Sequence, residues 1–96
     1  MKAYVVVQER IDDQAMFDAY RKDVPAIVAA HGGRFIVRGG AMTVLEGAAP
    51  YPRLVVIEFP SRAAAEGWYA SPEYQKVLPL RLGSSECNFY IVDGAE

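Results

Sequence analysis

The sequence is poor in the side chains that most often carry chemistry. It has one cysteine and one histidine in 96 residues. A single cysteine excludes an internal disulfide and any multi-cysteine metal site. A reducing cytoplasm is then the default compartment. No apolar run approaches the roughly 20 residues that a membrane span needs, so no membrane partner is expected. The opening Met1-Lys2-Ala3-Tyr4-Val5-Val6-Val7 reaches an acidic residue by Glu9. That stretch is too short for the core of a signal peptide, and no cleavage pattern follows it. Basic residues are not in excess: Lys and Arg total 10 against 12 Asp and Glu, for a formal charge of −2. Nothing clusters enough cations to hold a phosphate backbone, so nucleic acid is not an expected partner. The paired glycines are no phosphate loop either. Gly39-Gly40 precedes neither a Walker lysine nor an opening helix, and Gly32-Gly33 lacks dinucleotide spacing. No nucleophile elbow appears, and no carboxylate pair demands a metal. No metal site and no cofactor are implied.

What is present is the composition of one globular domain over residues 1–96, with 52 % hydrophobic and 23 % charged residues. Residues 3–9 are apolar and β-branched and read as a strand. Asp12 or Asp13 caps a helix over 13–31, in which Met16, Phe17, Tyr20, Val24, Ile27, Val28 and His31 recur at helical spacing. Pro25 falls inside that stripe and predicts a kink or a restart, and Gly32-Gly33 supplies the stop. Residues 34–38 are a second strand, broken by Gly39-Gly40 and continued by Thr43–Glu46 past a bulge or bend. Residues 53–59 are a third strand. Ser61 caps a short helix over 62–70. Ser71-Pro72-Glu73 starts another over 72–81, frayed near Pro79. Residues 86–92 form the last strand.

The order is β-α-β-β-α-β with the second helix split in two, the ferredoxin-like α+β pattern with a four-stranded antiparallel sheet. Its first and third strands are the central pair, and both are apolar on both faces. Tyr4 and Val6 alternate with Val5 and Val7, and Leu54 and Val56 with Val55 and Ile57. Helices cover one face of such a sheet. An antiparallel sheet with a solvated second face alternates cleanly. This one does not, and the chain has no spare element to cover it. A second copy packed sheet against sheet is the simplest cover, so a homodimer through the apolar sheet face is expected.

The candidate chemistry is sparse. His31, at the end of the first helix, reads as an acid/base or anion contact, or as a C-terminal cap. Arg38, at the glycine pair, reads as a fork for a carboxylate or as a salt bridge to Glu58. Trp68, Tyr69 and Tyr74 cluster around Ser71-Pro72 and read as pocket wall or as packing. Tyr20 meets them from the first-helix stripe. Arg81 reaches the same region or caps the last helix. Cys87 reads as a buried inert thiol.

Two stretches carry a family resemblance. His31-Gly32-Gly33-Arg34-Phe35-Ile36-Val37-Arg38-Gly39-Gly40 with Leu45-Glu46-Gly47 is one. Phe59-Pro60-Ser61 with Trp68-Tyr69-Ala70-Ser71-Pro72-Glu73-Tyr74-Gln75 is the other. Together they resemble the DUF1330 family over nearly the whole chain, in order and at matching spacing. The resemblance implies a dimeric α+β barrel, whose relatives by fold include cofactor-free monooxygenases, muconolactone-isomerase-like proteins and stress-response barrels. It places Arg38, Trp68, Tyr69, Ser71 and Tyr74 on the family's characteristic positions, with His31 beside the double glycine. It assigns no reaction.

Three functions follow as expectations. The first is a cleft between sheet and helices for a small anionic or aromatic metabolite. Tyr20, Trp68, Tyr69 and Tyr74 wall it, Ser71 lies beside them, and His31 and Arg38 are polar inside it. Isomerisation by His31 as base with Arg38 as stabiliser, or oxygenation without cofactor, is the associated chemistry. The second is a non-catalytic structural or interaction dimer. The third is a haem barrel with His31 as axial ligand.

Overall fold

The structure is a computed structural model and describes residues 1–95. Alternation builds the first strand: in β1 (Ala3–Ile11), Ala3, Val5, Val7 and Glu9 are buried while Tyr4, Val6 and Gln8 are half-buried. Asp13 then caps α1 (Gln14–Ala30), its carboxylate accepting from the Met16 backbone N–H at 3.1 Å. Phe17, Tyr20, Val24 and Val28 turn one face of α1 to the core, and the helix runs on through Pro25. It ends in a Schellman motif. Gly32, at φ +80°, donates to Ala29 O and Gly33 donates to Val28 O, both at 3.0 Å. A Cβ on Gly33 would collide with the Phe59 ring, so that glycine also sets how closely α1 meets the sheet.

β2 (Arg34–Arg38) and β3 (Arg53–Phe59) follow, then α2 (Arg62–Ala70), α3 (Pro72–Ser84) and β4 (Ser85–Asp93). Ser61 caps α2 by accepting from Ala64 N–H. Ser71 serves both neighbouring helices: its hydroxyl donates to Trp68 O at 2.7 Å and accepts from Tyr74 N–H at 3.2 Å. The sheet is antiparallel in the order β2-β3-β1-β4, with β1 and β3 central as the sequence predicts. All three helices lie on one side. The shortest extent of the Cα trace, 16 Å, leaves room for one sheet and one layer of helices. No helix among the described residues is long and apolar enough to cross a membrane.

Several expectations are corrected. Thr43–Glu46 does not extend the second strand: β2 stops at Arg38, Gly39 turns at φ +67°, and the chain to Pro52 forms neither strand nor helix. Positive φ at Gly39 carries the chain out of line with β3, so Val44 and Leu45 stay exposed. The bulge lies instead within β2, between Phe35 and Val37. α3 passes Pro79 and reaches Ser84, where the Ser84 and Ser85 hydroxyls donate to the late carbonyls of Leu80 and Arg81. Arg38 does not pair with Glu58. Arg34 and Lys2 do, at 3.1 and 3.3 Å, because Glu58 lies on the other face of the sheet.

Candidate functional site

The strand register sets out the floor of the site. On the helix-covered face, Val5 stands between Ile57 and Ile91, and Val7 between Val55 and Phe89. In the next row Glu9 stands between Arg53 and Cys87. An apolar sheet therefore gives way to charge at one end. The bulge in β2 adds a further cation there. Phe35 pairs with Ile57 and Arg38 with Val55, so both side chains rise on the helix face. Were all five residues of β2 to alternate without this register shift, Arg38 would fall on the opposite face from Phe35. Gly39 suits the turn beside it, at φ +67°, and the Arg53 guanidinium packs closely against it. The close approach that the double glycine permits is thus made by a side chain of the protein.

Above this floor, between the sheet and helices α1 and α3, lies a cavity of about 220 Å³. Valines and the rings of Phe17, Phe35 and Phe89 form its apolar wall. Its polar groups are Arg21 and Tyr20 from α1, Arg38, Arg53, Arg81 and Glu9. Arg21 and Arg38 are exposed and stand at the mouth, whereas Arg81 and Glu9 are 4 % and 3 % exposed. Four guanidinium groups thus face one carboxylate across a largely apolar space. Two of the four stack on the wall: Arg38 Cζ lies 4.0 Å from the Phe35 ring centre and Arg81 Cζ 4.2 Å from that of Phe89.

The polar groups are held by specific bonds. Arg53 Nε donates to Glu9 Oε2 at 2.7 Å. Burial pushes the Glu9 carboxyl above its ordinary range, although Arg53 pulls the other way. Tyr20 and Tyr74 share a buried hydroxyl–hydroxyl bond of 2.8 Å, and Arg81 Nε donates to the Tyr74 oxygen at 3.2 Å. Burial raises both phenols, so they stay protonated. Arg81 keeps its charge although burial opposes it, and its guanidinium is held by the bond to the Tyr74 oxygen.

Of the residues expected to form a site, the structure brings Tyr20 and Arg38 to the cavity. Tyr74 stands directly behind Tyr20 and Arg81, fully buried. Trp68 is core, its ring 4.3 Å from that of Tyr74 and stacked on Phe89. Tyr69 packs against Trp68 and Tyr74 and borders a separate shallow surface cleft with Arg62 and Tyr90. Ser71 is a helix cap. His31 caps α1, with Nδ1 3.1 Å from Ile27 O, and lies outside the cavity lining. It is therefore placed neither as a base nor as an axial ligand there. Sequence reading passed over Glu9, Arg21 and Arg53. The signal for Glu9 was available: a carboxylate in phase with Ala3, Val5 and Val7 on the buried face of a strand. Among the described residues no cluster of His, Cys, Asp and Glu could hold a metal ion.

Comparison with known proteins places this arrangement in a wider setting. The family described as Domain of unknown function (DUF1330) matches residues 2–95. No curated protein matches the sequence. Among solved structures, a protein of unknown function from Rhodopseudomonas palustris is similar at a TM-score of 0.81 and 16 % identity, over 99 % of this chain and 83 % of that one. A dimeric ferredoxin-like protein of unknown function from Jannaschia sp. CCS1 is similar at 0.68 and 16 %, over 98 % of this chain and 100 % of the other. SnoaB, a cofactor-independent oxygenase from Streptomyces nogalater, is similar at 0.65 and 13 %, over 99 % and 94 %. At these identities the likeness is one of fold, and the fold is ferredoxin-like.

Proposed function

The chain belongs to the DUF1330 family, and on that premise we propose that it binds a small aromatic or similarly flat monocarboxylate in the cavity between sheet and helices, without a cofactor. The observation that carries this reading is the excess of guanidinium groups over carboxylates around an otherwise apolar space. Native interiors are close-packed, and a void of this size lined by arginine is costly for a module that only packs. An engineered apolar cavity of about 150 Å³ accepts benzene. The space here, at about 220 Å³, therefore suits a ring with a short acidic arm. The ring lies among Phe17, Phe35 and Phe89, and the carboxylate reaches the guanidinium edges of Arg38 and Arg81.

We also propose that the working form is a homodimer joined through the open sheet face. Tyr4, Val6, Leu54 and Val56 are half-buried there, Tyr90 and Val92 are exposed, and no element among the described residues covers them. The similar protein from Jannaschia is itself dimeric.

Phenylacetate and its neutral isostere phenylacetamide test the ligand class by calorimetry and by the shift in thermal midpoint. Phenylacetate is expected to bind and to raise the midpoint, and the amide is not. Arg38→Ala should weaken phenylacetate about tenfold, in line with the ~1.5–3 kcal/mol of a hydrogen bond to a charged group. Equal behaviour of acid and amide would remove the reading. For the assembly, sedimentation should show dimers for the natural chain and monomers for Val56→Glu. A monomeric natural chain would refute the sheet-to-sheet dimer.

A further inference from the structure

The cavity contains a feature that a plain anion trap would not have. Glu9, its one lining carboxylate among the described residues, sits at the charged end of the floor, where an incoming carboxylate would seek the arginines. Among the described residues its only direct cationic partner is Arg53, at 2.7 Å. Facing it from the other elements are Arg81 of α3, Tyr20 and Arg21 of α1, Arg38 of β2 and Cys87 on the neighbouring position of β4. The arginines are cationic and Tyr20 is neutral at ordinary pH.

We propose that ligand binding in this cavity is coupled to uptake of one proton by Glu9, so that the site holds a monocarboxylate beside a neutral glutamic acid. This rests on the cavity being the ligand site. The physical reason is that two carboxylates in one water-poor space repel. A bound anion also engages the guanidinium groups that favour an ionised Glu9. Glu9 is the member of that set able to lose its charge, because the arginines do not deprotonate. Burial already shifts its carboxyl in the same direction, above the ordinary range. Once protonated, Glu9 gains an O–H to donate, and the ligand carboxylate is an acceptor within the same space. Arg53, released from its partner, becomes a further donor to that carboxylate.

The test uses the full chain and phenylacetate. Calorimetry is run from about pH 5.5 to about pH 8.5, a range in which the probe is ionised, in paired buffers of different ionisation enthalpy. The expected result is a buffer-dependent heat corresponding to one proton taken up where free Glu9 is ionised. Over that part of the range the affinity weakens by about tenfold per pH unit. Glu9→Gln mimics the neutral acid. It should bind phenylacetate at all these pH values without a pH slope and without proton uptake. Buffer-independent heats in the natural chain, or a pH slope that survives in Glu9→Gln, would overturn the coupling while leaving the ligand site intact. Failure of phenylacetate to bind at any pH in either protein would overturn the ligand site itself.

Discussion

The two ends of the helix-covered face are built from similar materials and finished differently. At one end Phe59, Tyr74 and Phe89 each pack ring to ring against Trp68. At the other, Phe17, Phe35 and Phe89 stand apart around a cavity, with arginines and Glu9 among them. Aromatic content does not distinguish the two. The difference lies in what each ring is packed against. Trp68 and Tyr74 come from adjacent helices held by one serine cap, so they converge. The rings at the hollow end are spread over α1, β2 and β4. Charge on the floor at Glu9 and Arg53 keeps the apolar groups from closing over it. Tyr74 joins the ends: its ring belongs to the packed cluster and its oxygen to the Tyr20–Arg81 network.

The largest effect belongs to the packed end. Trp68→Ala should lower the unfolding free energy by about 3–5 kcal/mol, as for other buried aromatic truncations, read by denaturant unfolding. A loss below ~1 kcal/mol would place Trp68 outside the core. At the hollow end, Arg38→Ala should weaken phenylacetate about tenfold. Deleting Ile36 removes the β2 bulge but leaves Arg38 opposite Val55 on the helix face, so the deletion should keep phenylacetate binding close to that of the natural chain. A deletion that loses as much affinity as Arg38→Ala would show that the bulge itself aims Arg38.

Glu9 gives a smaller effect with a definite sign. Its folded carboxyl is raised above the ordinary value of 4.5, so the folded state binds the proton more tightly than the unfolded one. Its stabilising contribution is complete below that ordinary value and is lost as pH rises through the raised one. Glu9→Gln stays neutral throughout. The stability of the variant relative to the natural chain should therefore increase from pH 4 toward pH 8, as followed by thermal midpoints. A gap that narrows as pH rises would reverse the assigned cause. The smallest effect is at the helix end. His31→Ala should cost no more than ~1 kcal/mol, the scale of a cap contact, and leave phenylacetate binding unchanged. A lost ligand would return His31 to the site.

Much of the frame was legible in the sequence because local rules wrote it. Asp13, Ser61 and Ser71 are caps in the structure as their positions foretold, and Gly32-Gly33 ends α1 by the expected motif. The two-sided apolar strands are the central pair of the sheet. The site was less legible. Tyr20 and Arg38 reach the cavity, but Trp68, Ser71 and His31 serve packing and capping. Residue type and helical phase mark a side chain as buried or polar without saying whether its neighbours close around it.

The sequence by itself determined the order of elements, their caps, the family and the hydrophobic character of both sheet faces. These depend on neighbours within a few residues or on alternation along one strand. The tertiary structure alone decided that Glu9 meets Arg53 across 44 positions. It also decided that a register shift in β2 keeps both Phe35 and Arg38 on the helix face, and that Arg81 bonds Tyr74 and stacks on Phe89. Those are matters of register between strands and of helix placement over them. Such contacts are set by how whole faces fit together, and no local pattern records that fit.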